Sequence, residues 1–205
     1  MRALLLVAAL AAPASLAFGD DAEDVNGPAA TFHKHQLGIS GRLGSGVRGV
    51  ATYNDQTYCG KLDASRPSGL ARVCSGRAPF AVDLEAAFGV AMHVELTLEL
   101  RIGIERDFGP TQGTTGPRPL HVAPGARFFF SEAKRTKLFV QPELVFDLAD
   151  YAGRGKDFGF RGLEGFWIDF HRTYGIYFYV AETAEFSRWL EGEIEGGFGF
   201  QGRYP

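Results

Sequence analysis

The chain has 205 residues, enough for one domain or two small ones with a sizeable core. Twenty-seven are glycine, about 13% against a usual ~7%, and 18 are phenylalanine. Glycine costs about 1 kcal/mol in a helix interior, which excludes a helical bundle, and 45% hydrophobic residues exclude a disordered chain. A net charge of −3 with no concentrated basic patch excludes nucleic acid as a partner.

Met1-Arg2, an apolar stretch from Ala3 to Ala12 and the small-residue run Ser15-Leu16-Ala17 form the three regions of a secretory signal peptide. Residues 1–17 are therefore expected to be a leader, with 18–35 as a periplasmic tail that opens on Asp20, Asp21, Glu23 and Asp24. The apolar stretch is short of the ~20 residues of a membrane-spanning helix. His33-Lys34-His35 reads as part of the solvated tail, since no third metal ligand stands near it. Export makes a disulfide the natural reading of the two cysteines, Cys59 and Cys74.

From 36 onward the chain alternates with period two. Leu37, Ile39, Leu43 and Val47 oppose Ser40, Arg42, Gly44 and Arg48, which predicts a strand over 36–52. Phe80, Val82, Leu84, Ala86 and Phe88 oppose Asp83 and Glu85 over 79–90. Val94 to Ile104 gives six apolar residues on one face against Glu95, Thr97, Glu99 and Arg101 on the other, over 94–105. The segment 118–130 opposes Leu120, Val122 and Phe128 to His121 and Arg127; 137–148 opposes Leu138, Val140 and Leu144 to Gln141, Glu143 and Asp147. Two segments break parity: 158–169, which carries Arg161 and an intruding Glu164, and 174–186, where Glu182 falls on the apolar face. A β-bulge is expected in each. The last strand, 190–203, sets Leu190, Ile194, Phe198 and Phe200 against Glu191, Glu193 and Glu195.

Eight such strands are joined alternately by mostly longer links (53–78, 106–117, 149–157, with 187–189 the short exception) and uniformly short ones (91–93, 131–136, 170–173). That asymmetry, with strands that project to roughly 28–30 Å at ~40° tilt, predicts an all-β, eight-stranded antiparallel up-and-down transmembrane β-barrel. The apolar face is expected to meet lipid. The opposite face is expected to fill a narrow lumen with a charge network of Arg42, Arg48, Asp83, Glu85, Glu95, Glu99, Arg101, Arg127, Glu143, Asp147, Arg161, Glu191, Glu193 and Glu195. Aromatic residues at strand ends (Phe128, Phe129, Phe130; Phe166, Trp167, Phe170, Tyr174; Tyr204) are expected to form an interfacial girdle.

In its leader, amphipathic strands, short alternate turns and final strand Leu190 to Tyr204, the chain resembles the small eight-stranded outer-membrane barrels of Gram-negative bacteria, the group of outer-membrane proteins A, X and W. The resemblance covers Gln36 to Pro205 and implies a barrel domain over 36–205. It implies recognition by the barrel-assembly machinery through Phe198, Phe200 and Tyr204, although Gly202-Arg203 interrupts the alternation and Pro205 ends the chain.

No catalytic constellation emerges: Ser131 and Ser187 have no histidine at a suggestive offset, His121 is expected to face the lumen near Glu99 or Asp147, and no cofactor motif is present. The leading reading is a non-enzymatic barrel for envelope structure or surface interaction. Its first loop, mildly basic through Lys61, Arg66, Arg72 and Arg77 and stapled by Cys59–Cys74, would meet lipopolysaccharide phosphates. The alternatives are a narrow cation-preferring channel and a soluble periplasmic lipocalin-like ligand-binding barrel.

Overall fold

The structure, a computed structural model, describes residues 33–53, 64–65, 69, 71–107, 114–130, 135–151, 153, 155–171 and 173–204. The leader, Cys59 and Pro205 lie outside the described residues. One antiparallel sheet is made of β1 (Leu37–Ala51), β2 (Val73–Arg77), β3 (Ala81–Ala91), β4 (Val94–Gly103), β5 (Leu120–Phe130), β6 (Thr136–Asp147), β7 (Asp157–His171), β8 (Tyr174–Glu185) and β9 (Leu190–Tyr204). β1 pairs with both β2 and β3, each strand from β3 to β8 pairs with the next along the chain, and β1 pairs with β9 from Leu37↔Tyr204 to Ala51↔Leu190, which closes the barrel.

The barrel has eight staves, because β2 and β3 form one of them. Three steps along β1, from Gly44 to Val47, face four from Ala81 to Arg77, so one extra residue is taken up at 78–80 around Pro79. The second stave thus reaches back to Val73, further than the expected start at 79. The expected bulges in the two parity-breaking segments are absent. The β7–β8 ladder runs without a shift from Gly159 to Asp169, β8–β9 is regular throughout, and Glu164 and Glu182 stay on the outward face.

Alternation decides which side chains go where. Leu98 is 53% exposed on the outside, while its neighbour Glu99 is 1% exposed within. The outward face of β4 is Val94, Leu96, Leu98, Leu100 and Ile102, and the other staves repeat the pattern. Phe128, Phe130, Phe166, Phe170, Tyr174 and Tyr204 stand outward at the end where the short links lie, but Phe129 and Trp167 of the expected girdle are buried inside. Parity accounts for this: each sits one residue out of step with its outward neighbours.

The β5–β6 ladder is the least complete. Partners are absent for Ala123-Pro124 and for Ala126-Arg127. Pro124 and Pro142 both occupy outward positions on this seam, and proline brings no N–H to a ladder.

Candidate functional site: the barrel interior

Of the predicted lumenal charges, the structure brings Arg42, Asp83, Glu85, Glu99, Arg101, Glu143, Arg161, Glu193 and Glu195 together in the middle of the barrel. It places Glu95 and Arg127 towards the short links, and Arg48, Asp147 and Glu191 towards the long ones. Arg42 on β1 places Nε 3.1 Å from Asp83 Oδ2, Nη1 3.6 Å from Glu85 and Nη2 3.7 Å from Glu143, with Glu99 against the same nitrogen. Glu85, Glu99 and Glu143 each offer an oxygen within 4.8 Å of the others, the one such metal-like cluster among the described residues. The cation among them is the Arg42 guanidinium. Arg161 binds Glu99 Oε1 at 2.6 Å and also meets Glu195; Arg101 bridges Glu193 at 3.2 Å and Glu195. Charges this deeply buried persist only when each finds an opposite partner.

Towards the short links the lumen becomes aromatic. Arg127 donates to Gln141 (2.7 Å), Glu95 (3.0 Å) and Glu85 (2.5 Å), while its guanidinium carbon lies 5.3–5.5 Å from the Phe139, Trp167 and Tyr177 rings. Trp167 and Tyr177 stack at 4.7 Å with 8° between planes. Trp167 Nε1 donates to Asp169 Oδ1 at 2.8 Å, which in turn orders Lys137 at 2.7 Å from Oδ2.

A residue from outside the strands completes this end. His33, read from the sequence as solvated, is buried. Its Nδ1 lies 3.1 Å from Glu95 Oε1, and Nε2 faces Lys137 Nζ at 3.0 Å and Arg203. That geometry suits a neutral ring, with Nδ1–H towards the carboxylate and Nε2 accepting from the two cations. Burial above all holds its pKa down, at about 4, and the neighbouring cations act in the same direction. Backbone bonds anchor the segment: His35 N donates to Gly89 O (2.7 Å) and Gly89 N to Gln36 O (3.0 Å). Gly89 is required here, since a Cβ would stand 1.7 Å from His33 O.

At the long-link end Val50, Ala149, Tyr151 and Trp189 form a second apolar cluster. Arg188 lies against both rings, 4.2 Å from Tyr151 and 4.4 Å from Trp189, and donates to Asp147 Oδ2 at 2.7 Å. Asp157 Oδ1 accepts from three backbone N–H groups, those of Phe158, Ser187 and Arg188, and so shapes the β8–β9 link. Arg48 joins Asp107 and Glu191 (3.1 Å). His121 Nε2 is 3.7 Å from Asp147 and 4.0 Å from Glu185, with no contact to Glu99. Burial, above all, raises the Tyr151 phenol well above its ordinary range.

Cys74 on β2 is buried and disulfide-bonded; Cys59, its expected partner, lies outside the described residues. Sequence reasoning missed His33, Lys137, Asp157, Asp169, Glu185, Arg188 and Arg203. Lys137, Asp169 and Arg203 share the inward parity of their strands and were legible on that ground. Arg188 and His33 lie off the strands, where alternation says nothing.

The sequence matches no protein-family profile and no curated protein. Its fold is that of the small outer-membrane barrels. The N-terminal β-barrel domain of Pseudomonas aeruginosa OprF superposes with a TM-score of 0.55 over 83% of this chain and 98% of that one, at 11% identity. Neisserial surface protein A gives 0.49 over 80% and 95%, at 10% identity. At such identities the likeness is one of fold.

Proposed function

We propose that this chain is an exported, non-enzymatic outer-membrane barrel that acts through its surfaces rather than by conducting or by chemistry. One observation carries the reading: an outward face of exposed Leu, Ile, Val and Phe encloses a lumen filled from end to end by ion pairs and aromatic rings. A lipocalin-type barrel would need the opposite arrangement, with the apolar face turned inward round a ligand. A cation-preferring channel would need a water-filled path, and Arg42, Arg127, Trp167 and Trp189 stand across it with no more than 2% of their surface exposed.

In this reading residues 1–17 are the leader, and the short links and both chain ends face the periplasm. The barrel-assembly machinery reads β9, and the long links face outward near lipopolysaccharide. Cys59 and Cys74 bond to each other and staple the first of those links. The test is twofold. The refolded protein should migrate faster in cold detergent than after boiling, and should add no conductance steps to a planar bilayer. A soluble monomer, or steady cation-selective steps, would overturn the reading.

A further inference from the structure

Glu164 and Glu182 break the apolar alternation of β7 and β8, and the regular ladder keeps both on the outward face. Glu164 is the central residue of β7, seven positions from either end, and pairs laterally with Val140 and Val180. Glu182 lies one outward step nearer the long links, opposite Gly162 and Ile194, which makes the two glutamates diagonal neighbours. Neither forms an ion pair or side-chain hydrogen bond with a described residue, and no lysine or arginine lies on the outward face of β4 to β9 among them. Ionisable side chains at this depth are costly and are held where something pairs with them.

The surface beside them is smooth. Gly162 and Gly192 point outward, and a Cβ at either would meet nothing within 4 Å. Outward Gly196, paired with Ser45, extends the same low area across β9 to β1. Small residues let another backbone approach closely inside a membrane, where polar contacts between chains then form. A second copy would bring the same two carboxyls and no cation, whereas a basic group completes the pair by charge.

Resting on the outer-membrane reading, we propose that this patch is a docking site within the membrane. Its occupant is a different membrane-embedded chain that presents a lysine or arginine from its own lipid-facing surface at the depth of Glu164. The glycines seat its backbone and the two carboxylates hold its charge.

The test uses the full barrel in liposomes, with insertion checked by heat-modifiable migration, and energy transfer to a labelled leucine–alanine peptide of membrane-spanning length. The peptide carries one central lysine, or leucine in its place. The lysine peptide should associate about tenfold more tightly than the leucine peptide. That preference should vanish in Glu164→Gln/Glu182→Gln. It should also vanish in Gly162→Leu/Gly192→Leu, which fills the smooth area without disturbing the lumen. Equal association of the two peptides, a preference that survives the glutamine substitutions, or patch-dependent transfer between barrels alone would overturn the proposal. A chain that never inserts would contradict the outer-membrane reading instead.

Discussion

The His33 imidazole stands edge-on to Phe129, with ring centroids 4.3 Å apart and planes at 85°, so a residue before the first strand closes one end of the lumen. The ring is neutral in this position, its pKa held at about 4 against 6.5 in an open chain. A histidine with a lowered folded pKa stabilises above the open-chain value, and that contribution is lost as pH falls from about 6.5 to 4. Glu95 on β4, Lys137 on β6 and Arg203 on β9 face the ring, and Asp169 on β7 binds both cations. The protection of the His35 and Gly89 amides against exchange, relative to their intrinsic rates at each pH, should therefore fall across that range. The shift corresponds to about 3 kcal/mol at most, and His33→Phe should remove the pH dependence.

Arg42 is the cation of a three-carboxylate cluster, so its loss leaves Glu85, Glu99 and Glu143 facing one another. Arg42→Met should destabilise the barrel by about 3–5 kcal/mol in detergent unfolding titrations. A Ca2+-dependent recovery is expected in that variant and not in the native protein.

Two adjacent residues of β4 face different media. Leu98→Arg places a charge in the apolar belt and should cost about 2–4 kcal/mol of insertion stability. Thr97→Val, which replaces a buried hydroxyl that lacks a hydrogen-bond partner, should be close to neutral. Refolding titrations into lipid compare the two directly.

The β5–β6 seam lacks two ladder donors because Pro124 and Pro142 both fall on it. Pro124→Val and Pro142→Val should each add a backbone hydrogen bond, about 1 kcal/mol, and raise the temperature at which heat-modifiable migration is lost. A fall in that temperature would show that the seam geometry does not admit the bond.

Alternation made the staves and the lumenal charges legible, because in a closed barrel every second residue must go inside. The same rule, applied residue by residue, sends Phe129 and Trp167 inward. Reading them as an aromatic belt grouped residues by proximity in sequence and overrode parity. Glu164 and Glu182 misled in the opposite way. A bulge was the local means of hiding a charge from lipid, but the β7–β8 ladder keeps its hydrogen bonds and leaves the charges outside. What the sequence did not show are the contacts made by residues without periodicity. His33 docks through a turn closed by the Gln36 N–His33 O bond, and Arg188 is set by the three amides gathered on Asp157.

In the proposed orientation lipid meets the apolar face while the charged face is enclosed. Both tryptophans, Trp167 and Trp189, are fully buried in the lumen, whereas Phe160 stands 57% exposed on the outer face. Fluorescence quenching by lipids brominated along their acyl chains measures that orientation directly. In liposomes the native tryptophan emission should be almost unquenched, and a Phe160→Trp variant should add a strongly quenched component. Strong quenching of Trp167 and Trp189, with an unquenched signal from position 160, would contradict it.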